Sequence, residues 1–224
     1  MALVPPLLRM LTVLAAHSVV LLIVFSPRAQ AIGVSAPRTI TAGQNATISI
    51  TETIDEDSEL RSKYDGYRLY LALTPPGWGT GPECWLANNL DLGPQSVNIV
   101  IPTDVAPNNT EVRIADSFIK KGSEKESGYS YSSTVTFLGG NGTWSQRELN
   151  GRTMTNANRL PCFLLGCVRQ CNDRYYTGEK SSEKAADDCS ERCLKNSRAS
   201  PMKHLSMAAL MMGIATCGIA QLVL

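Results

Sequence analysis

Histidine is the scarcest chemically useful residue in this chain. Two occur among 224 residues, His17 and His204, and both lie in terminal segments that read as processing signals. A chain without those segments holds no imidazole. That excludes Ser-His-Asp and Cys-His nucleophilic sites and histidine-ligated zinc or copper, the amino-terminal histidine brace included. No basic patch stands out, and Lys120-Lys121 reads as a solvated turn, so nucleic-acid binding is not expected. No internal run is long enough to span a bilayer, and no repeat is found. The densest acidic cluster, Asp55-Glu56-Asp57 with Glu59, lacks apolar flanks. It reads as a solvated loop rather than as the carboxylate pair of a glycosidase. No catalytic residue, metal ligand or cofactor is therefore expected.

What is present begins at the two ends. Arg9 precedes an apolar core over 11–25, Pro27 breaks it, and Ala29-Gln30-Ala31 is a small-x-small site. This predicts a signal peptide over 1–31, cleaved after Ala31; an uncleaved membrane anchor is the alternative. Residues 205–224 are almost entirely apolar, with no basic residue beyond them. Ser197-Arg198-Ala199-Ser200 supplies small residues, and Pro201-Met202-Lys203-His204 a polar spacer. The pattern reads as a glycosylphosphatidylinositol (GPI) signal over 198–224, with Ser197 as attachment site and Asn196 and Ser200 as rivals. A single-pass or tail-anchored helix is the competing reading, and it would retain Cys217. The expected mature chain, 32–197, keeps seventeen basic against twenty acidic residues, a formal charge of about −3.

Six cysteines remain in it: Cys84, Cys162, Cys167, Cys171, Cys189 and Cys193. An even number in a secreted chain implies disulfides. Cys167-x-x-x-Cys171 and Cys189-x-x-x-Cys193 each place two thiols on one helix face. Thr177-Gly178 breaks the run, and Ser181 or Ser182 is expected to cap the second helix, with Glu183 in its first turn. Two antiparallel helices then bring Cys167 opposite Cys193 and Cys171 opposite Cys189, and Cys84 pairs with Cys162 by elimination. Zinc held by four thiolates is the rival, disfavoured by an oxidising compartment. Asn45, Asn108 and Asn141 open N-glycosylation acceptor triplets.

From 32 to 150 the apolar residues alternate. Ala46, Ile48 and Ile50 form one series; Tyr67, Leu69, Leu71 and Leu73 another; Val97, Ile99 and Ile101 a third. Val112 and Ile114 follow, then Tyr129, Tyr131, Ser133, Val135 and Phe137. Such alternation predicts half-buried antiparallel strands, and the Gly/Pro/Asn breaks between them suggest a β-sandwich. The expected fold is mainly β: an Ig-like antiparallel β-sandwich over 32–150, followed by a small disulfide-stapled helical hairpin over 151–197. A signal peptide and a hydrophobic C-terminal tail flank it. The Gly/Pro-rich stretch around Trp78 reads as a loop that presents an exposed ring, which makes Trp78 the candidate glycan contact. Trp85 reads as packed on a disulfide, and Trp144 is open to either reading.

Two resemblances are carried by particular residues. Ala36-Pro37, Ile40-Thr41-Ala42-Gly43, Ala46-Thr47-Ile48-Ser49-Ile50-Thr51, Tyr67-Arg68-Leu69-Tyr70-Leu71 and Ser96-Val97-Asn98-Ile99-Val100-Ile101-Pro102 form one set. They resemble the N-terminal Ig-like domain of the fungal cell-wall family linked to 1,6-β-glucan assembly, though Ile50-Thr51 stands where a Trp commonly ends the second strand there. Thr74-Pro75-Pro76-Gly77-Trp78-Gly79, Cys84, Gly142-Thr143-Trp144, Pro161-Cys162, Cys167 and Cys171 are similar to those of a family of secreted, GPI-anchored fungal proteins. The resemblance implies no activity and no catalytic residue. The resulting expectation is a non-catalytic protein of the fungal cell surface that serves wall organisation or adhesion. Cell-wall polysaccharide is the expected partner and the lipid anchor its membrane attachment. A carboxylate-dependent glycan-active enzyme and a secreted effector-like binding protein are the alternatives.

Overall fold

The computed structural model describes residues 33–199, with side chains described through residue 195. The signal segment and its cleavage point, the 205–224 tail, His17, His204, Cys217 and Ser200 lie outside the described residues. Among the described residues no helix is long and apolar enough to cross a membrane. Two β-sheets and a small disulfide-bonded helical region make up the fold.

The smaller sheet contains β1 (Val34–Ser35), β3 (Asn45–Ile50) and β6 (Gln95–Val100), in that order. The larger runs β2 (Thr39–Thr41), β9 (Val135–Leu138), β7 (Thr110–Ile119), β4 (Gly66–Leu73) and β5 (Gly81–Leu90), with β8 (Ser130–Tyr131) also on β7. Ile48, Ile50 and Ile99 from the first sheet share one buried core with Leu69, Leu71, Ile114 and Phe137 from the second. Their period of two places each apolar series on one face, and burial of that face drives the two sheets together.

Several strands depart from the sequence reading. β4 is buried at every position rather than on one face. Tyr67, Leu69, Leu71 and Leu73 enter the inter-sheet core, while Tyr70 and Ala72 are covered outside by Trp85, Tyr129 and Ala157. β5 occupies a stretch for which no alternating series was read; its pairing with β4 runs through register shifts. β2 pairs with β9 in parallel, Thr39 opposite Thr136, not antiparallel. The chain turns at Ala42-Gly43 into the other sheet instead of folding back on itself. The Tyr129-to-Phe137 series breaks into β8 and β9 at Ser132. There Ser132 N donates to Ile114 O at 2.8 Å, and Ser132 Oγ accepts from Ile114 N at 3.0 Å, so the hydroxyl replaces a ladder carbonyl.

Four α-helices, α1 (Glu59–Lys63), α2 (Gln146–Leu149), α3 (Leu165–Tyr175) and α4 (Lys180–Ala199), and two 3-10 turns, Thr103–Val105 and Cys162–Leu164, complete the described chain. Ser145 and Glu148 close a reciprocal capping box on α2. Ser181 and Ser182 lie inside the first turn of α4 rather than before it. The helix begins at Lys180, and Ser182 Oγ accepts from Thr177 N at 3.0 Å while donating to Glu179 O at 2.6 Å. Ser197 and Asn196 fall in the last turns of α4. The bonded cysteines are Cys84–Cys162, Cys167–Cys193 and Cys171–Cys189, the pairing that the helical spacing predicts. Crosslinks do not act alone, because Leu165, Val168 and Leu194 join the core shared by both sheets.

Asn45, Asn108 and Asn141 are all exposed. They gather at one end of the sheets: Pro107 bridges to Asn141, Asn141 N donates to Thr103 O at 2.7 Å, and Gly43 N donates to Ile101 O at 2.9 Å. Gly142, inside the third acceptor triplet, is needed for close approach, since a Cβ there would sit 2.3 Å from Asp104 O.

Candidate functional site

The outer face of the larger sheet, toward the Ile119 end of β7, carries a cleft of about 550 Å³. That end is opposite the Thr110 end, where the exposed asparagines gather. Alternation along β4 sends Arg68, between Tyr67 and Leu69, to this outer face. Trp85 faces it from β5, opposite Tyr70 in the strand register. Ser123 and Glu124 from the β7–β8 connection, and Asn158, Pro161 and Phe163 from the segment before α3, close the rim. Phe163 remains 48% exposed.

Arg68 forms the floor and is only 3% exposed. Its Nε donates to Asn88 Oδ1 at 2.8 Å, one terminal nitrogen to Asn158 Oδ1 at 2.8 Å, and the other to Ser123 O at 3.2 Å. These partners are neutral oxygens. Among the described residues no carboxylate pairs with Arg68. Arg159, on the rim, differs: it pairs with Glu191 at 2.8 Å and Glu124 at 3.4 Å. The Tyr70 hydroxyl lies 2.5 Å from Asn158 Oδ1, and burial pushes its phenol up to about 12, so it stays a donor at neutral pH. Burial and then the Glu126 carboxylate also push Tyr129 upward; its hydroxyl donates to Glu126 Oε2 at 2.6 Å. The cleft therefore combines a positive floor, amide side chains and an aromatic wall. Such a surface offers hydrogen-bonding groups beside apolar ring faces.

The residues singled out in the sequence are placed differently. Trp78 is half-buried, and its indole N–H donates to Glu148 O at 2.5 Å, so its polar edge is already engaged. It does not line the cleft. Trp85, expected to pack on a disulfide, lines the cleft. Trp144 is half-buried beneath Arg169, whose guanidinium carbon lies 5.1 Å from the ring centroid. Asp55, Glu56, Asp57 and Glu59 are all exposed. Among the described residues no three His, Cys, Asp or Glu side chains gather as a metal site.

Arg68 and Phe163 were not singled out. An Arg inside an alternating strand reads as solvent-facing, and Phe163 sits in no periodic run. One signal was nonetheless present: Trp85 follows Cys84 and Phe163 follows Cys162, and these cysteines are bonded with Cα atoms 4.8 Å apart. The elimination argument that pairs the cysteines thus also brings the two rings to one place. Compared with known proteins, the chain matches no family model and no curated relative.

Proposed function

We propose that this is a non-catalytic, GPI-anchored protein of the fungal cell surface that contributes to wall organisation or adhesion by binding neutral polysaccharide in the Trp85–Phe163 cleft. The single observation that carries the reading is a cleft lined by Trp85, Phe163 and Arg68, whose buried charge meets only neutral oxygens. Sugars stack their C–H faces on rings and offer hydroxyls to amide and guanidinium groups, and both kinds of group converge here. The exposed acceptor asparagines sit at the far end of the sheet, so N-glycans would leave the cleft open. An Ig-like sandwich is supported by strand order. The strands β1, β3 and β6 take the places A, B and E of that fold, and β5, β4, β7 and β9 the places C′, C, F and G.

The carboxylate-dependent enzyme has less support at this cleft. Glu124 is its lining carboxylate, and Arg159 pairs with it. The test measures binding of the purified secreted protein to 1,6-β-glucan, 1,3-β-glucan, chitin and mannan. Trp85→Ala and Phe163→Ala should each weaken binding roughly tenfold, as for ring anchors at other interfaces, while Trp78→Ala should leave it unchanged. Binding unaffected by both cleft variants would overturn the assignment. Release of the protein from intact cells by phosphatidylinositol-specific phospholipase tests the anchor at Ser197.

A further inference from the structure

A second pocket, of about 310 Å³, opens on the helical hairpin. All four hairpin cysteines line it, together with Arg174 from α3 and Arg192 from α4. Residues three and four apart are neighbours on a helix, so Cys167, Cys171 and Arg174 share one face of α3, and Cys189, Arg192 and Cys193 one face of α4. Each bridge joins an outer cysteine to an inner one. Cys167 is exposed and Cys189 half-buried, whereas Cys193 is 7% exposed and Cys171 5%. The bonds are Cys167–Cys193 and Cys171–Cys189. The two inner sulfurs, Cys171 Sγ and Cys193 Sγ, belong to different bridges and lie 3.8 Å apart. Bonded sulfurs stand about 2.0 Å apart, so a relative shift of about 2 Å would join them.

Cys84–Cys162 shares none of these features. Its cysteines are 0% and 3% exposed, so no solvent-borne group reaches them. Charge separates the two settings as well. Among the described residues no carboxylate pairs with Arg174 or Arg192. Both guanidinium groups are at exposed positions on the pocket wall. Disulfides are opened by thiolates, and attack is favoured where the sulfur is accessible and the surroundings are positive. A guanidinium is also a fork that matches a carboxylate. The pocket therefore holds an accessible disulfide sulfur, two groups that attract anions, and a second disulfide in contact with the first.

We propose that this pocket is a thiol–disulfide exchange site for a small thiol that carries carboxylates. The thiol loses its proton to solvent, and its thiolate attacks Cys167 Sγ. A mixed disulfide forms at Cys167, and the Cys167–Cys193 bond breaks with its electron pair on Cys193. The Cys193 thiolate then attacks Cys171 Sγ, its neighbour at 3.8 Å. The Cys171–Cys193 bond forms and the Cys171–Cys189 bond breaks. Cys189 leaves as a thiolate and takes up a proton from solvent. Two disulfides and one thiol enter, and two disulfides and one thiol result, so no further oxidant or reductant is required. The helices stay crosslinked throughout, by Cys171–Cys189 before the handover and by Cys171–Cys193 after it. Exchange is thus possible without opening the hairpin. It is stoichiometric and separate from polysaccharide binding in the Trp85–Phe163 cleft.

The experiment treats the secreted protein, expressed from its full reading frame, with glutathione. Free thiols are trapped with iodoacetamide, and peptides are mapped by mass spectrometry without reduction. The expected products are glutathione on Cys167, a Cys171–Cys193 crosslink and alkylated Cys189, with Cys84–Cys162 intact. Bridges that remain Cys167–Cys193 and Cys171–Cys189 would overturn the proposal. Alkylation of Cys193 in place of Cys189 would also overturn it, because the thiol released first would then not have been handed on. A second measurement tests the thiol class. Arg174→Gln combined with Arg192→Gln should slow the reaction with glutathione roughly tenfold, the low end of what electrostatic attraction gives to association. Reaction with neutral β-mercaptoethanol should keep its rate. Equal slowing of both thiols, or of neither, would overturn the assignment of a carboxylate-bearing thiol.

Discussion

Two buried arginines on opposite flanks of the larger sheet solve the same problem differently. Arg169, on α3, is 3% exposed and meets a carboxylate in a fork: Nε lies 3.0 Å from Glu148 Oε2, and a terminal nitrogen 2.7 Å from Oε1. Its other terminal nitrogen donates to Asp104 O at 3.1 Å and to Val105 O at 2.5 Å, which fastens the hairpin to the turn before β7. Arg68 is equally buried but is held by amides and a carbonyl, with no carboxylate. A bidentate buried pair is closed to further ligands and serves cohesion. A buried guanidinium among neutral acceptors keeps its field directed into the space above it, and that space is the cleft. On the proposed polysaccharide-binding reading, the difference separates a structural arginine from one beside the ligand.

The contrast is open to direct disruption. The largest effect is expected at the seam: Arg169→Ala strands the 1%-exposed Glu148 and should cost about 3–5 kcal/mol in denaturant unfolding. Replacing both partners, Arg169→Met with Glu148→Leu, should recover most of that loss, and a double variant no better than the single would break the comparison. Next, removing the link between the flanks with Cys84→Ser and Cys162→Ser should cost about 2–4 kcal/mol. Glycan binding should fall with it, because Trp85 and Phe163 follow the two bonded cysteines. Arg68→Met should cost less in stability, about 1–2 kcal/mol, since water in the cleft can serve the freed oxygens. It should nevertheless weaken polysaccharide binding at least tenfold, and a variant that loses more stability than this while keeping full binding would reverse the assigned roles.

The smallest effect is a pH dependence at the seam. Glu83, 7% exposed, is pushed up from 4.5 to about 7, first by burial and then by Glu148, while Arg169 opposes the shift. The folded state holds this proton more tightly than the unfolded chain does. Its contribution to stability is therefore fully present below about pH 4.5 and is lost as pH rises through about 7. Glu83→Gln should flatten the decline in urea midpoint between pH 5 and pH 8. An unchanged decline would remove Glu83 as its source.

The cysteine pairing was legible because helical periodicity is a local property. Residues four apart share a face whatever surrounds them, so Cys167, Cys171, Cys189 and Cys193 had one compatible antiparallel match. The β3 and β6 strands were legible for the same reason, each carrying its own period of two. The loop around Trp78 was legible, but loop composition says nothing of what lies across from it, and here Glu148, seventy residues on, takes the indole N–H. Strand β5 was missed because cross-strand partners, not its own Gly and Asn residues, hold it extended. Arg68 shows the limit most directly. Alternation decides which face its side chain takes. Whether that face meets water, a cleft or the core depends on segments scores of residues away. The sequence by itself determined side-chain direction, turns and crosslinks, which are set by bonded geometry over a few residues. Burial and the cleft were decided only by the tertiary structure, because enclosure requires surfaces from β4, β5, the β7–β8 connection and the segment before α3 at once.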